Sequence, residues 1–199
     1  MANKDSKYKY KFEYCMNALH YCIYKGEVWL NYKVERQVYR LIKVLSIILG
    51  LKKYYERRVK KFHDDKKNQD YLYGKKIELS VGEANSTFGF LYSGYPGLLS
   101  FILLGIANGI CENVKEIVVI ILLGLPIGLG YIPAYKAVFS NDKYLKYHKK
   151  FKKKDEQWHK KWKWITIVFC IISLFFTTIG GVCAIGGIQE IIQIIRHSY

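Results

Sequence analysis

Three stretches of this chain are as long as a bilayer is thick and carry almost no charge. Residues 92–110 (YSGYPGLLSFILLGIANGI) contain no charged side chain, and residues 117–139 contain only Lys136, near the end. From Trp164 onward nothing charged appears until Glu190. A helix rising 1.5 Å per residue needs about 20 apolar residues to cross the hydrocarbon core. Helices buried in a soluble bundle rarely run that far without a polar face, so the pattern predicts three membrane spans. The third run exceeds the need, which predicts tilt, or an interfacial tail after Gly186 and Gly187.

Charge is segregated just as sharply. The chain of 199 residues has a formal net charge of +16, and its charged side chains crowd residues 1–83 and 136–163. The loop over residues 111–116 (CENVKE) carries one lysine against two glutamates. The segment 136–163 carries eleven lysines against Asp142, Asp155 and Glu156. The bias of Lys and Arg toward the cytoplasm places that segment, and the first 90 residues, inside. The loop 111–116 and the C-terminus then face outward. A bacterial inner membrane fits this arrangement. No cleavable signal peptide is legible in the charged N-terminus. Five cysteines, an odd count in no CxxC spacing, argue against a disulfide framework, and the basic part reads as cytosolic.

The basic segment also carries aromatics. Lys152, Lys153, Lys154, Lys160 and Lys161 suit anionic lipid headgroups, each worth about 1 kcal/mol near a charged surface. Trp158, Trp162 and Trp164 suit the interfacial belt. Tyr144, Tyr147, Phe151, Trp158 and Trp162 fall along one helical face, which predicts a basic amphipathic helix lying on the membrane over residues 140–163. An RNA-binding helix with stacking aromatics is the alternative.

Residues 11–66 read as helix. Phe12, Met16, Leu19 and Ile23 form one apolar stripe, and after Gly26 another follows as Leu30, Val34, Val38, Leu41, Leu45 and Ile48. Its spacing is heptad-like with a stutter near Val34, which predicts packing against a second copy or another segment of the chain. A fourth span over residues 34–51 would have to bury Glu35, Arg36, Arg40 and Lys43, so a helix at the interface or between subunits is the preferred reading. Residues 64–91, rich in Asn, Asp, Gly and Ser, read as a connector with a short strand at 75–81.

Small residues at close-packing intervals mark the spans: Gly105 and Gly109, Gly124 and Gly128, Gly180 and Gly181. In lipid, helices associate where small side chains let backbones approach, so these glycines are candidates for packing within the chain or between protomers. Pro126 and Pro133 would loosen the second span. The spans hold no Asp, Glu, Arg or His of the kind that marks an ion or proton path, which argues against a secondary transporter.

Chemistry-bearing motifs are sparse. Cys15, His20 and Cys22 are close in sequence, but their gaps do not converge three ligands on one metal, so neither metal nor cofactor is expected. Residues 58–63 (RVKKFH) place a histidine five residues after an arginine. This resembles the R-x4-6-H motif of HEPN ribonucleases, in which Arg and His act on a scissile phosphate between two protomers. The resemblance implies that Arg58 stabilises phosphate charge and His63 transfers a proton. Val59 stands where that family usually has a polar residue.

The sequence therefore predicts an all-α integral membrane protein in four parts. A cytoplasmic helical arm and connector (1–91) precedes a transmembrane hairpin (92–139), a basic interfacial helix (140–163) and a third span with a short tail (164–199). The expected function is non-enzymatic: self-assembly into a homo-oligomer that perturbs or permeabilises the membrane, as a pore-like effector such as a toxin, lysis factor or phage-defence component. The second expectation is a scaffold whose basic arm recruits an acidic or RNA-containing partner. The third is a membrane-tethered ribonuclease.

Overall fold

The computed structural model describes residues 4–48, 51–54, 56, 57, 61, 66–111 and 114–187. Among them every regular element is helical. The helices are α1 (Lys4–Ile48), α2 (Lys66–Ile110), α3 (Glu116–Val138), α4 (Lys143–Phe151) and α5 (Glu156–Val182). A 3-10 turn, Ser140–Asp142, lies between α3 and α4, and a π turn, Cys183–Gly187, follows α5.

Three helices are long and apolar enough to cross a membrane. The first such stretch runs from Ser80 to Ile110, so it begins before residue 92. This corrects the expected connector and strand: from Lys66 onward the chain is one helix that continues into the apolar run. Ser80, Ala84, Phe88 and Leu91 are buried at intervals of four, four and three, the helical repeat. A buried face at that period overrides the weak turn preference of the intervening Asn, Gly and Ser. The second stretch is Glu116–Phe151 and the third Glu156–Ile185. Only 6% of the second stretch's apolar window and 11% of the third's are buried. Ile120, Leu125 and Leu129 on α3, and Ile171, Phe175 and Val182 on α5, stand largely exposed. Exposed apolar surface on that scale needs a non-aqueous surrounding or a partner.

Within the second stretch the apolar part ends at Phe139. Asn141 and Asp142 have φ of 57° and 50°, the left-handed region that short polar side chains tolerate best. The chain turns there, and α4 (KYLKYHKKF) carries Lys143, Lys146, Lys149 and Lys150. A second break at Lys152–Asp155 separates α4 from α5. The single amphipathic helix expected over 140–163 is thus corrected to a short helix, a turn and the first turns of a much longer helix.

The chain divides into two compact units. One holds α1 as far as Cys22 together with everything from Thr87 onward; the other is Ile23–Ser86. In the smaller unit, Asn31 Nδ2 donates to Ser80 Oγ at 3.3 Å and also to Glu83 Oε2, tying α1 to α2. Leu30, Val34, Val38, Leu41, Leu45 and Ile48 stand exposed there, from 46% at Val38 to 73% at Ile48. The 1–91 arm expected from sequence is therefore divided, its first residues belonging with the apolar helices.

In the larger unit both α3 and α5 pack on α2. Ser100 Oγ donates to the Leu123 carbonyl at 3.0 Å, and Tyr95 Oη to the Phe169 carbonyl at 2.9 Å. Ser173 Oγ donates to the Leu91 carbonyl. Three glycines allow the close approach. A Cβ on Gly94 would meet Ser173 Oγ at 2.6 Å, one on Gly130 would meet Pro96 Cβ at 2.6 Å, and one on Gly180 would meet Phe101 Cδ2 at 2.5 Å. Gly105 is buried and Gly109 half-buried. Gly124, Gly128 and Gly181 have nothing within 4 Å, so among the described residues they are not points of contact.

Candidate functional site

Polar and aromatic side chains of the larger unit gather where α1, up to Cys22, meets the end of α3, all of α4 and the start of α5. Of the stripe through Phe12, Met16, Leu19 and Ile23, α1 buries Leu19 and Ile23. Asn17, Ala18, Leu19, His20, Tyr21 and Ile23 are buried, whereas Phe12 is 38% exposed.

Asn17 closes the end of α3. The last carbonyls of a helix lack intrahelical partners, and Asn17 Nδ2 donates to the Ala137 carbonyl at 2.9 Å while also donating to the Glu13 carbonyl at 2.8 Å. Lys143 Nζ donates to the neighbouring Lys136 carbonyl at 3.3 Å. It also pairs with Glu13 Oε2 at 2.7 Å, and Tyr147 Oη donates to Glu13 Oε1 at 3.2 Å. A substitution of Asn17 by Leu keeps the volume but donates to neither carbonyl. It is expected to cost about 1–3 kcal/mol, read as a lower unfolding midpoint of the purified protein in mild detergent.

Beside this cap, His20 of α1 and His148 of α4 meet ring to ring, with Nδ1 of the first 3.0 Å from Nε2 of the second. His20 is fully buried, edge-on to Phe88 and Phe139 at centroid distances of 5.6 and 5.8 Å, with Tyr144 at 5.3 Å. Two imidazoles are too few donors for a structural zinc site. Among the described residues no group of three or more His, Cys, Asp or Glu side chains is placed to hold a metal.

Aromatic rings fill the rest. Phe151, with no exposed surface, stacks on Trp158 at 4.8 Å and meets Tyr14 edge-on at 5.2 Å. Trp158 Nε1 donates to Tyr14 Oη at 2.8 Å, and Trp162 is 9% exposed with Tyr14 at 6.0 Å. Tyr21 lies against His148, Trp158 and His159. Trp158 and Trp162, expected in the interfacial belt, join a cluster with Phe151 and with Tyr14 and Tyr21 of the first 22 residues, the latter a pairing no local pattern announces. Trp164, 67% exposed, faces outward.

Burial and the adjoining carboxylate govern titration here. Burial first, and then the charge and hydrogen bond of Glu13, push the Tyr147 phenol up to about 12. Burial, reinforced by neighbouring His20, pushes His148 from the ordinary 6.5 down to about 3. The folded state thus binds fewer protons than the unfolded chain between those values. His148's contribution to stability is complete above about pH 6.5 and falls away as the pH drops toward 3.

Around the cluster the lysines are free to meet other charges. Lys152, Lys153 and Lys154 are exposed in the turn between α4 and α5, and Lys161 is exposed on α5. Lys160 is exposed too and pairs with Glu156 at 2.9 Å. Arg58 and His63 lie outside the described residues. Glu13, Tyr14, Asn17, His20 and His148 were missed by motif reading. The available signal was polar and aromatic residues recurring every three or four positions on α1, facing a similar series on α4. No protein-family model, curated protein or solved structure matches the chain.

Proposed function

We propose that the chain crosses a membrane three times, assembles with copies of itself and perturbs or permeabilises that membrane as a pore-like effector. The observation that carries this reading is the apolar stripe of α1. Six large side chains at heptad-like spacing stand 46–73% exposed on a helix that also bears Lys33, Arg36, Arg40 and Lys43. Burying such a row between copies is the economical way to remove it from water. Three spans are too few to surround water, so permeation requires several chains, and Gly124 and Gly128 on the outward surface of α3 suit contacts between them. The lysines of 136–163 favour the cytoplasmic side of a bacterial inner membrane, against anionic lipid.

The test is native mass in lipid nanodiscs followed by ion efflux from liposomes. A discrete multimer that releases ions is the expected result, and a monomer would overturn the reading. Val38→Lys with Leu45→Lys is expected to weaken assembly more than tenfold, since each side chain contributes about 1.5–3 kcal/mol when buried. Both positions are exposed in the single chain, so its fold should stand. The scaffold reading, supported by the exposed lysines, instead expects a monomer that binds acidic protein or RNA with strong salt dependence. A His63→Ala variant that inserts normally but loses RNA cleavage would favour the ribonuclease reading.

A further inference from the structure

We propose that His20 and His148 form an acid-operated latch that holds the first turns of α1 on α4 near neutral pH and releases them on acidification. The chemistry follows from the contact itself. Two imidazole nitrogens 3.0 Å apart are bonded only when one carries a hydrogen and the other is bare. A neutral ring has one bare nitrogen, and in whichever ring accepts, that nitrogen is the one inside the contact. Protonating the donor ring at its far nitrogen leaves the bond intact. Protonating the acceptor ring sets N–H against N–H, and the contact must open.

From α1, the Glu13 carboxylate is already engaged by Lys143 and Tyr147, and Tyr21 lies on His148 at 5.1 Å. From α2 and the end of α3 come the apolar rings of Phe88 and Phe139, with Lys136 a turn earlier. From α4 come Tyr144, which contacts both imidazoles, and the cations Lys143 and Lys149. From α5, His159 stands behind Tyr21 and adds a further proton acceptor of the same class. Burial and the neighbouring imidazole disfavour an imidazolium, so the latch stays closed at neutral pH. Its opening is a property of the larger unit and holds whether or not the chain forms a pore.

Trp158 reports the state of the latch because its indole is bonded to Tyr14 on the same segment of α1. The full chain in nanodiscs, with Trp29→Phe and Trp164→Phe, confines fluorescence to Trp158 and Trp162. A reversible red shift is expected as the pH falls from 7.5 to 4. In His20→Gln and His148→Gln, where the amide keeps a donor and an acceptor but cannot titrate, the pH 7.5 spectrum should be unchanged and the shift lost. His148→Phe, which fills the volume with an untitratable ring, serves as the second variant if glutamine is not tolerated. A flat response with both histidines present would overturn the proposal. So would a shift that keeps its midpoint in every variant, since another group would then be responsible.

Discussion

Phe151→Ala is expected to destabilise the protein by about 3–5 kcal/mol, the cost of emptying a fully buried aromatic site that cannot collapse. Phe151 has no exposed surface, and rings from three directions close on it: Trp158 at 4.8 Å, Tyr14 at 5.2 Å and Tyr147 at 5.4 Å. None of these neighbours can move inward without giving up its own contacts. Tyr14 would lose the indole hydrogen bond, and Tyr147 its bond to Glu13. Lys152→Gln, one residue later and exposed, is expected to shift stability by no more than about 0.5 kcal/mol. Denaturant titration in mixed micelles, followed by tryptophan emission, separates the two. An aromatic lying among lipid headgroups would behave differently: its removal would weaken membrane affinity and leave the unfolding midpoint unchanged. The contrast between adjacent positions thus distinguishes an internal cluster from a membrane-surface helix.

The apolar helices were legible in the sequence because their signal is one-dimensional. Length and absence of charge are properties of a contiguous segment, and residues 92–110, 117–139 and 164–185 all fall inside helices apolar enough to cross a membrane. The cluster was not legible, because its members are defined by partners far along the chain. Asn17 is a good core residue only if the Ala137 carbonyl is there to accept from it, and His20 only if His148 faces it. Read alone, both look like solvent positions, and the apolar stripe that the sequence did announce is buried at Leu19 and Ile23 while Phe12 is exposed. The connector failed for the same reason. Ser80 read as part of a short strand and Ala84 as connector, yet both are buried at helical spacing on α2. Glycine spacing misled in a related way. Gly124 and Gly128 have the interval of a packing motif, but close approach depends on what the facing helix presents, and within one chain it presents nothing there.

That distinction sets up the second large effect, at Gly94. A methyl group there would lie 2.6 Å from Ser173 Oγ, 2.9 Å from Thr177 Oγ1 and 3.0 Å from the Ser173 carbonyl. The hydroxyl cannot simply rotate away, since it is donated to the Leu91 carbonyl and Ser173 is 1% exposed. The carbonyl belongs to the backbone of α5 and moves only with the helix. Gly94→Ala must therefore push α5 off α2, and overpacking of this kind costs about 1–3 kcal/mol. Gly94→Leu, which no local adjustment accommodates, should separate the two helices and expose the Tyr95 hydroxyl now bonded to the Phe169 carbonyl. Gly128→Ala meets nothing within 4 Å and removes a flexible residue from a helix, so it should be neutral or stabilise by up to about 1 kcal/mol. Measuring native mass on the same variants adds a second axis. If copies meet through α3 as proposed, Gly128→Leu should leave the unfolding of a single chain unchanged while lowering the native mass. Gly94→Ala should act on unfolding first. A Gly128→Leu variant with undiminished native mass would remove α3 from the proposed interface and leave the stripe on α1 as its remaining basis.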